Sequence, residues 1–169
     1  MLLNVKEGKQ FYPAMELQCD LPSCVFPSRL HFLEYEQAYS LAEFVLNLTT
    51  VKNNGVDSTV RGCQLLDACT QCHNSFKLIS EREEFGERDA TIKMLPWLHR
   101  FTPSYQYVRA MDLSIEALTA FKTQEMELEA LEELQTLLDQ TTYRQHKRAQ
   151  WYFQQTSILL TKMHNYSRV

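Results

Sequence analysis

The sequence predicts an all-α protein: an antiparallel helical-repeat array, preceded by a short extended or β element at the N-terminus. Three observations predict it. Apolar residues recur at three- and four-residue steps over most of the chain beyond Ser28. Only 4 Gly and 5 Pro interrupt the 169 residues, which argues for long helices and few turns. A hydrophobic content of 44% with 22% charged residues is ordinary for a globular chain, and the length suffices for a real core.

Met1 to about Pro27 is the irregular lead. Leu2, Leu3 and Val5 suit a short strand, Gly8 a turn, and Phe11 to Leu17 a second extended piece; Pro13, Pro22 and Pro27 oppose helix here. Ser28 caps a first helix to about Leu48, with Leu30, Leu33, Ala38, Leu41, Phe44, Val45 and Leu48 as its buried stripe. Thr49 to Asp57, containing Asn53-Asn54-Gly55, is a loop. Ser58 opens a second helix to about Ile79, with Cys63, Leu66, Cys69, Cys72, Phe76 and Ile79 on one face. After the charged connection from Ser80 to Glu87, Asp89 caps a short helix carrying Ile92, Leu95, Leu98 and Phe101. Thr102-Pro103 starts the next one. Thr is its N-cap, and Pro takes the first helical position, where its missing N–H costs nothing. Tyr105, Val108, Met111, Ile115, Leu118 and Phe121 continue its apolar face. Met126 to Leu138 and Ala149 to Met163 supply two more helices. Consecutive helices of this length suggest a tetratricopeptide-like array, although the consensus Gly and Pro positions of that repeat are absent.

Charge divides the chain. Asp139 is its last acidic residue; the stretch ending there carries 12 Lys/Arg against 21 Asp/Glu, or −9. Five basic residues follow it (Arg144, Lys147, Arg148, Lys162 and Arg168) without one carboxylate side chain. The overall charge of −4 therefore conceals halves of opposite sign, which points to a basic surface for an anionic partner. Met1 to Val5 is too short for the apolar region of a signal peptide, and no run approaches a membrane span. The chain reads as intracellular, with no membrane partner and with its five Cys as reduced thiols.

Cys69-Thr70-Gln71-Cys72-His73 has the C-x-x-C-H spacing of covalent haem attachment. Both Cys lie on an apolar helical stripe, however, and covalent haem attachment normally takes place outside the cytoplasm, so no haem is expected. Zinc would need a second pair, for which only Cys19 and Cys24, or Cys63, are at hand; buried thiols are the better reading, and no metal ligands are assigned. Glu7-Gly8-Lys9 imitates the end of a PD-(D/E)xK nuclease core, but no Pro-Asp occurs anywhere, so it reads as a turn and no catalytic residue is assigned. Glu125, Glu127, Glu129, Glu132 and Glu133 read as the wet face of an amphipathic helix. Tyr143, Trp151, Tyr152 and Phe153 beside Arg144, Lys147 and Arg148 have two readings: a nucleic-acid surface, where cations pair with phosphate oxygens while aromatics stack or pack the helix, or a core aromatic cluster flanked by solvated charges; the acid-free tail favours the first for the charges.

Leu95-Pro96, Arg100-Phe101-Thr102, Tyr107 to Arg109, Ile115-Glu116, Leu131-Glu132-Glu133-Leu134 with Leu137-Leu138, and Trp151-Tyr152 form a collinear set. In order and spacing this set resembles the middle of the Fanconi-associated nuclease family, structure-selective nucleases of DNA cross-link repair. The resemblance extends more faintly through Leu2-Leu3, Phe11-Tyr12 and Val25-Phe26. It implies that residues 1–89 are the end of a SAP-containing DNA-binding domain and residues 90–169 the first part of a tetratricopeptide-like domain. The VRR nuclease domain has no counterpart here. The implied parent is a nuclear, magnesium- or manganese-dependent 5′-flap endonuclease and 5′–3′ exonuclease of interstrand cross-link repair. This chain would itself be inactive and hold no cofactor, with branched or 5′-flap DNA and repair proteins as partners. The family has an Arg immediately before the paired aromatics, gripping a flap's 5′-phosphate; Gln150 stands there in this chain and brings no charge.

Two functions follow as expectations. One is a DNA-orienting helical region whose phosphate contacts are Arg144, Lys147, Arg148 and Gln150, three of them cationic, for a log-affinity against log-salt slope near −3 by an order-of-magnitude count. The other is a helical-repeat scaffold that binds protein.

Overall fold

The computed structural model describes residue 26 and residues 28–50, 58–82 and 96–166. Among these the chain is all-α. Five α-helices, α1 (Arg29–Thr50), α2 (Ser58–Ser80), α3 (Pro103–Ala120), α4 (Gln124–Asp139) and α5 (Arg148–Tyr166), are joined by two 3-10 turns at Pro96–Phe101 and Gln145–Lys147. No strand occurs among the described residues, and the extended lead expected before Pro27 lies outside them. So do the loop after Thr50 and most of the short helix expected from Asp89, of which the Pro96–Phe101 turn is the described end.

α3 is the central helix. It packs against α1, α2 and α4, while α5 packs chiefly against α4. Val108, Met111, Ile115 and Leu118 lie on its interior face, essentially without solvent contact, as the apolar spacing predicts. Its start is the expected one. Thr102 Oγ1 accepts a hydrogen bond from the Tyr105 amide at 3.3 Å, with Pro103 in the first helical position. Thr123 does the same for α4, accepting from the Met126 amide at 3.4 Å, and Glu125 and Glu127 in its first turn complement the helix dipole. One core draws on all five helices, including those on either side of the domain boundary expected near residue 89.

Two stripes differ from expectation. α1 buries Ala38, Ala42 and Val45, while Leu30, Leu33 and Phe44 are exposed. Small side chains at i, i+4 and i+7 let another helix approach closely, and the larger residues flank that contact instead of filling it. The α1–α3 seam is completed by Arg109 Nη2 donating to Glu43 Oε1 at 3.0 Å. On α2 the buried set is Leu65, Ala68, Cys69, Cys72, Phe76 and Ile79; Cys63 is exposed and Leu66 only half-buried. Gly62 is buried where α2 meets the α3–α4 corner. A Cβ there would lie 2.7 Å from Met126 Cε and 3.3 Å from Phe121 Cε1, so the close approach depends on glycine.

Candidate nucleic-acid interface

The basic segment begins in a turn that its own side chains hold rigid. Gln140 Oε1 accepts from the amides of Thr142 (3.1 Å) and Tyr143 (2.7 Å), and Gln140 Nε2 donates to the Tyr143 carbonyl at 2.8 Å. Tyr143 is buried, its ring edge-on to those of His99 and Tyr105 with centroids 5.8 and 6.3 Å away. Arg144 then adopts the left-handed conformation, φ 49°, ψ 37°, which turns the chain into the 3-10 segment and α5.

Arg144 faces inward. Its Nη1 lies 3.0 Å from Asp112 Oδ2 on α3, and the two side chains are only 17% and 6% exposed. Asp112 Oδ1 also accepts from the Trp151 indole N–H at 2.6 Å, and Trp151 is fully buried. One carboxylate of α3 thus ties down both the corner and the first turn of α5. Arg144 is committed to that role by a charge-assisted bond inside the protein, which withdraws it from the set of cations on the surface.

Lys147 and Gln150 meet in one turn, with Arg148 next to Lys147 in the chain; both cations are half-buried and Gln150 is exposed. Lys147 Nζ donates to Gln150 Oε1 at 2.9 Å, using one of its three donors. Arg148 Nη1 donates to the Gln140 carbonyl at 2.8 Å, and its guanidinium carbon lies 6.0 Å from the centroid of the Tyr152 ring. Both cations keep N–H groups for an anion, within one turn of the start of a 19-residue helix. Tyr152 and Phe153 are exposed beside them; Trp151, predicted with them as an aromatic group, is a core anchor. The nearest acidic residue in sequence is Asp139 at the end of α4, an exposed carboxylate that accepts from Gln135 Nε2 at 2.8 Å.

The glutamates of α4 are not one wet face. Glu125 and Glu132 are exposed, but Glu133 is completely buried. The reason is its register: Met126, Ala130, Glu133 and Leu137 fall on one stripe, a spacing that signals burial whatever the residue type. Ser114 Oγ lies 2.6 Å from Glu133 Oε2 and 2.7 Å from the Met111 carbonyl. A hydroxyl has one proton, so both contacts are hydrogen bonds only when the carboxyl supplies the other. With the carboxyl protonated, Glu133 donates to Ser114 and Ser114 to the Met111 carbonyl; with it ionised, Ser114 donates to Glu133 Oε2 instead. Burial pushes this carboxyl up to about 8, and Glu129 adds to the effect, against the opposing influence of Ser114 and Cys69.

Cys69 and Cys72 lie in the same interior, their thiols pushed up first by burial and then by Glu133. Such thiols are poor nucleophiles and poor metal ligands. His73 is engaged elsewhere, with its Nδ1 3.3 Å from Thr136 Oγ1. Among the described residues no group of three or more His, Cys, Asp and Glu is arranged to hold a metal ion. None of the described helices is long and apolar enough to cross a membrane.

No family model matches the chain, and no curated protein or solved structure matches it either.

Proposed function

We propose that this chain is a DNA-orienting helical region of a structure-selective nuclease of cross-link repair, the role implied by its resemblance to the Fanconi-associated nucleases. The observation that carries the reading is the corner at the start of α5. Lys147, Arg148 and Gln150 share one turn, the two cations half-buried and Gln150 exposed, and no carboxylate side chain follows Asp139. Phosphate oxygens of a 5′ flap would be met there by one ammonium, one guanidinium and the Gln150 amide. Arg144 supports that surface from within by fixing the turn on Asp112. In this reading α3, α4 and α5 begin a tetratricopeptide-like array. Cutting, with its magnesium or manganese, belongs to a nuclease domain of the parent protein in the nucleus.

Two cations instead of three give a salt slope near about −2 for log affinity against log salt. The test is equilibrium binding of a 5′-phosphorylated flap by the chain, by Lys147→Glu, and by Lys147→Glu/Arg148→Glu. Thermal melts serve as the control, since Arg148 also holds the Gln140 carbonyl. The expected result is a stepwise loss, about tenfold or more for the pair at low salt, with melting preserved for Lys147→Glu. Equal binding by all three proteins would end the proposal.

A further inference from the structure

α5 has two apolar faces, and the fold uses one. Trp151 and Ile158 turn inward and are buried. Tyr152 (53% exposed), Phe153 (73%), Leu159 (46%) and Leu160 (61%) form a second stripe on the side away from α4, with the small residues Ala149 and Thr156 also exposed in it. Steps of three and four residues align these side chains over three turns. A solvated helix needs no such stripe, and four large apolar side chains in one row form the kind of patch that marks a contact surface.

We propose that this outer face of α5 docks an acidic amphipathic helix of a partner protein. The face is convex and helical, with its backbone hydrogen bonds made internally, so it offers no edge to an added strand; it suits the apolar stripe of another helix. Charge selects the kind of helix. Arg148 lies against Tyr152 at the head of the stripe, Lys147 is beside it, and no acidic side chain follows Asp139. Carboxylates flanking a partner's stripe would meet cations at that end and repulsion nowhere along α5, whereas a basic helix would meet only like charge. Nucleic acid is a poorer occupant, because Leu159 and Leu160 have neither charge nor a ring on which a base could stack. A second copy is also poorer. Leu30, Leu33 and Phe44 of α1 are exposed, but two of that helix's three carboxylates, Glu34 and Glu43, are already paired with Arg82 and Arg109.

Two fluorescein-labelled peptides of about 18 residues provide the probe, both with one Leu stripe at three- and four-residue steps. One carries Glu on its flanks and the other Lys. Fluorescence anisotropy with the full chain should show the Glu peptide binding at least about tenfold more tightly than the Lys peptide. Leu159→Gln/Leu160→Gln should lose about tenfold or more of that affinity without a lower melting temperature, since both positions are exposed and the change adds no charge near Lys147 and Arg148. The same variant should keep its 5′-flap affinity, which separates this proposal from the DNA reading. Equal binding of the two peptides, or no binding of either up to about 100 μM, would overturn it. So would a wild-type dimer that the double Gln variant dissociates, or flap binding that falls with peptide binding.

Discussion

Asp112 and Glu133 are both carboxyl groups withdrawn from water beside α3, and they have opposite kinds of neighbour. Asp112 has a guanidinium 3.0 Å away and an indole N–H at 2.6 Å, and serves as a tie point. Glu133 has a serine, two thiols and a second glutamate around it and forms no ion pair among the described residues; burial pushes its carboxyl up to about 8. Burying a charge without a partner costs so much that a carboxyl either finds a cation or stays neutral. Here one solution fastens α5 and its basic corner to the core, and the other closes the junction of α2, α3 and α4.

Removing the cation from the first site is the sharpest test of that contrast. Arg144→Ala leaves Asp112 buried with only the indole, and should cost about 3–5 kcal/mol in denaturant unfolding. Loss below about 1 kcal/mol would mean that Asp112 reaches water and that the corner is not tied there.

The second site should respond to pH instead. In the folded protein the Glu133 pKa lies above its ordinary value of 4.5, so the native state binds more protons than the unfolded chain between about 4.5 and about 8. Stability contributed by the neutral carboxyl is complete below that window and lost as pH rises through it, by about 1.4 kcal/mol per pH unit at most. Glu133→Gln keeps a neutral group that can donate to Ser114. Its melting temperature should exceed that of the wild type at pH 9, with the gap closing towards pH 5. A gap independent of pH would show that Glu133 is ionised in the fold throughout.

Smaller effects refine the picture. Trp151→Phe retains a ring in the core but deletes the indole donor to Asp112, at a cost of about 1.5–3 kcal/mol. In Arg144→Ala that same donor should matter more, so the double variant is expected to be non-additive. Lys122, at the α3–α4 corner, shares the left-handed backbone of Arg144 (φ 54° against 49°) but is exposed and joins no ion pair among the described residues. Lys122→Gly should therefore stabilise the protein by up to about 1 kcal/mol. Arg144→Gly should recover a similar amount relative to Arg144→Ala, yet remain well below the wild type. If both glycine variants were stabilised over the wild type, the Asp112–Arg144 pair would contribute nothing.

The candidate site was half legible in the sequence. The loss of acidic residues after Asp139 needs no structure, and it points to Lys147, Arg148 and Gln150, which lie in one turn with the two cations half-buried and Gln150 exposed. Arg144 has the same composition and neighbourhood in the sequence, and nothing local marks it as the residue that turns inward. Glu133 was a different omission. Its place on the Met126, Ala130, Leu137 stripe was readable, but a run of glutamates suggests solvent so strongly that residue type outweighed position.

What the sequence determined by itself is local: the helices beginning at Ser58, Pro103, Gln124 and Arg148 to within a few residues, the Thr102-Pro103 start, and the basic tail behind an acidic body. Those follow from periodicity, capping and charge, which act over a few neighbouring residues. Tertiary structure alone decided which face of α1 is small enough to bury, which cation is committed to the core, and which carboxyl keeps its proton. Trp151 and Asp112 are 39 residues apart, and Ser114 and Glu133 are 19 apart. A charge state depends on what stands within a few ångströms, and for these residues the partners arrive only when distant helices pack together.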